Sequence, residues 1–271
     1  MTSIGAARSV LASVTVPGSV WIVDLDGVVW ITGEPIGDVA GAVDRLGLAG
    51  ITVVYATNNS AFTTQGLLDR LARIGIRAEP DRLASSADAT ASLLQPGDTA
   101  YVLAEGGVLE SLSARGVKVG GDGPFAAAVV GWTHSFDFDS LSAAAAVARD
   151  CGRLIGTNED PTHPTPQGLV AGSGALLAAV ATASGITPEI AGKPHPPMAD
   201  LIRDKFGIGV GGRRALAVGD QPGTDGRLAE QLGIPFALVD SGVTRPGTPV
   251  DDVPVSVRTR DFVDLVDAAL T

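Results

Sequence analysis

Two aspartates spaced two residues apart, Asp24 and Asp26, close the apolar run Val20-Trp21-Ile22-Val23, and Gly27 follows them. Alternate side chains of an extended chain share a face, so Asp24 and Asp26 point one way and Leu25 the other. Carboxylates held that close repel, and both ionise comfortably only beside a cation or when they share a proton. The pair therefore reads as a metal site, an acid/base pair, or both. Three further polar clusters stand where apolar runs end or in the loops beside them. Thr57-Asn58-Asn59-Ser60 follows Ile51 to Ala56. Lys193 lies in Gly192-Lys193-Pro194-His195. Gly219-Asp220 follows Arg214 to Val218, with Asp225 close behind.

Together these residue types are selective. A carboxylate can attack an electrophile and form a covalent intermediate. A second one can protonate a leaving oxygen and later deprotonate water. A hydroxyl, an amide and a lysine can hold a phosphoryl group and its developing charge. Carboxylates, carbonyls and waters make the all-oxygen environment that Mg²⁺ prefers.

Such groups need a scaffold that delivers them to one edge. The first apolar run, a helix capped by Asp38, the run Ile51 to Ala56 and a helix opened by Thr63 or Thr64 alternate strand and helix. That is the pattern of a parallel sheet with helices packed on it, whose sites lie at the carboxyl ends of the strands. Gly27 to Gly37 reads as a tight reversal with a short hairpin. Residues 1–19 read as a loose or weakly helical leader. A helix from Ala84 to Leu94, a strand from Thr99 to Leu103, an alanine-rich helix capped by Asp139 and a helix from Ser173 to Ala183 form a block with strands and helices of its own. From Gly192 the first pattern returns, ending in a loop over 244–257 and a helix over Asp261 to Leu270. The expected organisation is an α/β core over 1–83 and 189–271, interrupted by a second α/β domain over 84–188.

Composition narrows the function. The 271 residues are 45% hydrophobic, enough for a sizeable core, and the net charge is -11 with only 19 Lys and Arg. No basic patch stands out, which argues against nucleic acid. An anionic substrate would need a local positive centre, a metal or a placed lysine. The single cysteine, Cys151, allows no intramolecular disulfide and no cysteine metal site, and reads as an inert buried thiol. No run approaches the length that spans a membrane, and no sustained apolar stretch marks a signal peptide. The expected location is cytoplasmic. His134, His163 and His195 lack metal-ligand spacing; His163, in the Pro-rich loop between Asp160 and Gly168, reads as a substrate contact or a solvated histidine. Trp30 reads as a shield for the site or as packing. Gly106-Gly107 and Gly120-Gly121 lack the pattern of a phosphate loop.

Asp24-Leu25-Asp26-Gly27-Val28 resembles the first motif of the haloacid dehalogenase superfamily phosphatases. Ala56-Thr57-Asn58-Asn59-Ser60 resembles the second, Gly192-Lys193-Pro194 the third, and Val218-Gly219-Asp220 with Thr224-Asp225 the fourth. The order, the spacing and the long gap before the third motif are similar to class IIA members, such as the 4-nitrophenyl phosphatase, phosphoglycolate phosphatase and pyridoxal phosphatase types. The resemblance implies a Rossmann-like core with an inserted α/β cap, and Mg²⁺-dependent hydrolysis of a small phosphate monoester. It implies Asp24 as nucleophile, Asp26 as general acid and base with its carbonyl on Mg²⁺, and Thr57, Asn58 and Asn59 as phosphate contacts. It implies Lys193 as the neutralising lysine, Asp220 as a metal ligand beside Asp24, and Asp225 as a partner through water or orientation. The cap loop holding His163 would face the substrate, and cap-mediated dimers of relatives extend to a homodimer here. Gln221-Pro222-Gly223 stands where relatives more often carry an Arg-Leu-Asp type run, which removes an acidic residue from the outer metal shell. A phosphosugar mutase on the same core, or a phosphometabolite-binding protein without turnover, stays open.

Overall fold

A computed structural model describes residues 4–165, 168–209 and 211–271. The strands in chain order are β1 (Val20–Val23), β2 (Trp30–Ile31), β3 (Glu34–Pro35), β4 (Thr52–Thr57), β5 (Leu83–Ser85), β6 (Thr99–Leu103), β7 (Lys118–Val119) and β8 (Ala127–Val130). They continue with β9 (Leu154–Gly156), β10 (Thr162–Thr165), β11 (Gly168–Ala171), β12 (Glu189–Ile190), β13 (Ala215–Gly219), β14 (Phe236–Val239) and β15 (Val257–Thr259). The α-helices are α1 (Ile4–Val14), α2 (Val39–Leu48), α3 (Thr64–Arg73), α4 (Ser86–Ser92) and α5 (Gly106–Ala114). They continue with α6 (Phe138–Cys151), α7 (Ser173–Ser184), α8 (Pro196–Phe206), α9 (Arg227–Leu232) and α10 (Phe262–Leu270). The chain divides into two compact units, one of residues 1–57, 68–84 and 202–271, the other of 58–67 and 85–201.

The first unit is built on a sheet of order β15-β14-β13-β1-β4-β5. β1 lies between β13 and β4, parallel to both. All four β1 residues are buried, as expected of a parallel strand covered on both faces. From β1 the chain runs outward through β4 and returns through β13 on the other side. The order therefore switches between β1 and β13, where open α/β sheets place their ligands. The hairpin β2–β3 is antiparallel, Trp30 opposite Pro35.

The leader is not loose: it forms α1, with Leu11 and Val14 buried. The Trp21 indole N–H donates to the Val14 carbonyl at 3.0 Å, and its ring meets Phe262 edge-on at 6.3 Å. Burying an aromatic of this size contributes roughly 1.5–3 kcal/mol, enough to dock a helix whose own sequence is weak. In this sheet two strands escape the sequence pattern, as does β10 of the second unit, where the sequence reads as a Pro-rich loop. β15 offers one buried residue, Val257, after a loop, too few to read as an apolar run. β5 occupies the expected start of a helix, because Ser85 accepts from the Asp88 N–H and Asp88 reaches back, a capping box that begins α4 one residue later.

The second unit carries its own parallel sheet, β12-β9-β8-β6-β7. Its strands alternate between two cores. Ala128 and Val130 pack with α6 and α7 around Ala144, Ala148, Leu177 and Val180. Ala127 and Val129 pack with α4 and α5 around Ala91, Val108 and Leu112. Helix α6 is capped by Asp137 rather than Asp139, since Asp137 is extended and exchanges hydrogen bonds with Ser140; Asp139 sits in the first turn. The Asp137 carboxyl is held below its ordinary pKa by the Ser140 N–H and hydroxyl. Gly106 and Gly107 start α5, where a Cβ on Gly107 would lie 2.2 Å from the Phe62 carbonyl. Cys151 is half-buried, not buried, and leans on the Arg153 carbonyl at 3.5 Å. Among the described residues no helix is long and apolar enough to cross a membrane.

Candidate active site

The carboxyl edge of the first unit's sheet gathers the acidic residues. The Asp24 N–H donates to the Val218 carbonyl at 2.9 Å, extending the β1–β13 ladder by one step. Asp24 thus leaves β1 beside Gly219-Asp220 leaving β13. On the other flank Val23 pairs with Tyr55, and β4 ends at Thr57, whose side chain is buried. Oxygen atoms of Asp24, Asp220 and Asp225 lie within 4.8 Å of one another, all three residues buried.

Glycines make room for this cluster. A Cβ on Gly27 would sit 2.5 Å from Asp220 Oδ2, one on Gly242 1.9 Å from the same atom, and one on Gly219 2.2 Å from the Asp225 carboxylate. Gly27 also has φ +86°, which glycine alone adopts without strain. Asp225 is seated by a local exchange: its N–H donates to the Gln221 carbonyl at 2.9 Å, and its Oδ2 accepts the Gln221 N–H at 3.1 Å. Gln221-Pro222-Gly223 therefore still closes the turn, a π-helical one over Pro222–Gly226.

Sequence reasoning missed the segment after β14. The Val243 N–H donates to Asp220 Oδ2, the Thr244 N–H to the Asp220 carbonyl, and the Ser241 hydroxyl to the Gly27 carbonyl at 2.7 Å. The signal was present, since Asp240-Ser241-Gly242 is another polar cluster at the end of an apolar run. Asp26 departs from the other carboxylates. It is half-buried, and its Oδ1 accepts the indole N–H of Trp30 at 3.0 Å.

The second unit holds Asn58 and Lys193, joined through the asparagine carboxamide. Its Oδ1 accepts the Lys193 N–H at 2.7 Å, and its Nδ2 donates to the Lys193 carbonyl at 3.1 Å and to Asp160 Oδ2 at 3.2 Å. The Asn58 side chain is thereby spent on gripping the lysine's backbone, and what it can still offer a ligand is its own backbone N–H. The close approach explains Gly192, where a Cβ would lie 2.5 Å from Asn58 Oδ1. Ser86 and Asn158 both donate to the Asn58 carbonyl at 2.7 Å, and Asn158 Oδ1 accepts the Asp160 N–H. Lys193 is buried, so its ammonium must act locally. Asn59 serves its own turn, its Oδ1 accepting from the N–H groups of Ala61 and Phe62. His163 lies on β10, half-buried, with its ring 6.1 Å from Trp132, which also meets His134 at 4.1 Å. His195 Nε2 meets Glu159 at 2.9 Å. No histidine joins the acidic group among the described residues.

The donor set suits a hard divalent cation. Three buried carboxylates this close favour a shared positive charge, and oxygen ligands are those Mg²⁺ takes. Family models match both halves of the chain: haloacid dehalogenase-like hydrolase over residues 21–118, and HAD-hydrolase-like over 190–265. An acid sugar phosphatase of Staphylococcus aureus is 28% identical over 227 residues, 83% of this chain and 87% of that protein. The solved 4-nitrophenylphosphatase of Thermotoga maritima superposes with a TM-score of 0.86 at 25% identity, covering 96% of this chain and 99% of that one. A glycerol phosphate phosphatase of Mycobacterium tuberculosis, solved in complex with magnesium, gives a TM-score of 0.83 at 26% identity over 95% of this chain and 78% of its own.

Proposed function

Because the chain belongs to the haloacid dehalogenase-like hydrolases and is a class IIA phosphatase of that superfamily, we propose that it hydrolyses a small phosphate monoester in two steps through an aspartyl phosphate on Asp24. The observation that carries the reading is the convergence of buried Asp24, Asp220 and Asp225 where the sheet order switches.

In the first step an Asp24 carboxylate oxygen bonds to phosphorus as the ester P–O bond breaks, and Asp26 gives its proton to the leaving oxygen. In the second step Asp26 takes a proton from water while that water's oxygen bonds to phosphorus, freeing Asp24 and phosphate. The balance is ester plus water to alcohol plus phosphate. Thr57 and the backbone N–H of Asn58 would hold phosphoryl oxygens, and Lys193 would neutralise their charge and that of Asp24. Asp24, Asp220 and the Asp26 carbonyl would hold Mg²⁺, with Asp225 as its outer or water-bridged partner. Bound there, Mg²⁺ supplies charge neutralisation and orientation of the phosphoryl group.

The segment over 84–188 is the proposed cap, setting specificity through loops that include His163. The names of two relatives, an acid sugar phosphatase and a glycerol phosphate phosphatase, favour a phosphorylated sugar or polyol. Homodimer formation, part of the same reading, is checked by light scattering. The deciding experiment is phosphate release from sugar, polyol, aryl and nucleotide monoesters, with Mg²⁺ and with EDTA, for the wild type and Asp24→Asn. Metal-dependent turnover lost on substitution is expected. Transfer to a second sugar phosphate instead of water would establish a mutase, and binding without turnover a sensor.

A further inference from the structure

The Asp26–Trp30 hydrogen bond has no part in the mechanism above, and it falls on the one carboxylate that stands apart from the acidic cluster. We propose that Trp30 is a positioning residue for general-acid chemistry, its indole N–H fixing Asp26 Oδ1 so that Oδ2 is the oxygen that carries the proton. The inference rests on the proposed role of Asp26.

The geometry is built into the loop after β1. The Leu25 carbonyl accepts from the Val29 and Trp30 N–H groups, and the Gly27 N–H donates to the Trp30 carbonyl at 2.8 Å. Asp26 and Trp30 form an isolated backbone bridge, and Trp30 is 3% exposed. The indole is thus clamped by its backbone at one end and by its packing at the other. Its Nε1 is a donor only, so it cannot take the proton that Asp26 handles. In the protonated acid the oxygen that accepts a hydrogen bond is the carbonyl oxygen, which leaves the proton on Oδ2. In the carboxylate form the same N–H stays bonded to Oδ1, so Asp26 keeps one orientation between the step in which it gives a proton and the step in which it takes one. A rotating carboxyl would lose the alignment that makes such transfer effective.

The test compares an alkyl with a 4-nitrophenyl phosphate. An alkoxide leaves only with a proton, whereas nitrophenolate is stable without one. Trp30→Phe keeps the ring and removes the N–H. The expected result is a fall of about tenfold in the alkyl-to-aryl kcat ratio, a fraction of the ~10²–10⁴ that a general acid supplies, with KM for both esters little changed. Trp30→His, which retains a ring N–H, should recover part of the ratio. An unchanged ratio, or equal losses on both esters, overturns the proposal. Asp26→Asn separates the two levels: it should lower the ratio further than Trp30→Phe, and if it leaves the ratio unchanged the acid assignment itself falls. Should Trp30→Phe fail to fold, ¹⁵N-indole spectra of the three tryptophans decide. The assigned Trp30 resonance must shift most between wild type and Asp26→Asn, and no preferential shift overturns the proposal.

Discussion

In the first unit the carboxyl edge of the sheet gathers three buried carboxylates into one cluster; in the second the residues after the strands are mixed, with Thr157, Asn158, Asp160 and Lys193 among them. Both sheets are parallel, both are covered by helices, and both turn from apolar to polar where a strand ends. Yet one edge packs Asp24, Asp220 and Asp225 within 4.8 Å. In the other unit Thr157 accepts from Ser60, Asn158 braces Asn58, and Asn58 grips Lys193. The difference teaches that the architecture supplies only an edge with backbone held in place, and that the residues seated there decide the chemistry. Under the proposed function it would also divide the labour, the first unit supplying nucleophile and cation ligands and the second a positive charge and its supports.

The largest expected effect comes from Asp24→Asn, which should lower kcat by about four orders of magnitude or more while thermal unfolding stays close to wild type. Residual turnover near wild type would end the special status of the first unit's edge. Asp220→Asn should weaken Mg²⁺ binding by about 10–100-fold, read by calorimetry and by the Mg²⁺ dependence of turnover; an unchanged affinity would remove Asp220 from the cation site. Asn58→Ala tests the second edge. Releasing the Lys193 backbone should cost about 10–100-fold in kcat through misplacement alone, with circular dichroism unchanged. If kcat holds, the amide network is packing and the division of labour fails. Gly242→Ala should destabilise the fold by about 1–3 kcal/mol, because the new methyl would meet Asp220. The smallest effect belongs to Phe138→Ser, at a side chain 82% exposed, with stability unchanged to within about 0.5 kcal/mol.

Much of the fold was legible because its strands are short apolar runs bounded by turn residues. β1, β4, β6 and β13 fall within about one residue of their expected limits. The elements that were least legible, or left between alternatives, depend on partners distant in sequence. α1 is fixed by Trp21 and the last helix, β15 by pairing with β14. The cap of α6 moved to Asp137 because two aspartates competed for one role and only Asp137 is extended and bonded to Ser140. In the site, Asn58 reads from the sequence as a phosphate contact; its carboxamide, both donor and acceptor, bonds the backbone N–H and the backbone carbonyl of Lys193, which leaves the proposed phosphate role to its own backbone N–H.

The inventory and its placement along the chain are plain in the residues alone: carboxylates, hydroxyl, amide and lysine at the ends of apolar runs, in an order similar to a known family. Residue type and hydrophobic period are local properties, so they can be read locally. Long-range pairing, by contrast, brings Asp225 to Asp24 and Asp220 and closes Gly242 and Val243 over Asp220. Those outcomes rest on β1 pairing with β13 in one register, Val20 beside Ala215 and Val23 beside Val218. No local pattern encodes that pairing; it is set by burial of both strands in a common sheet.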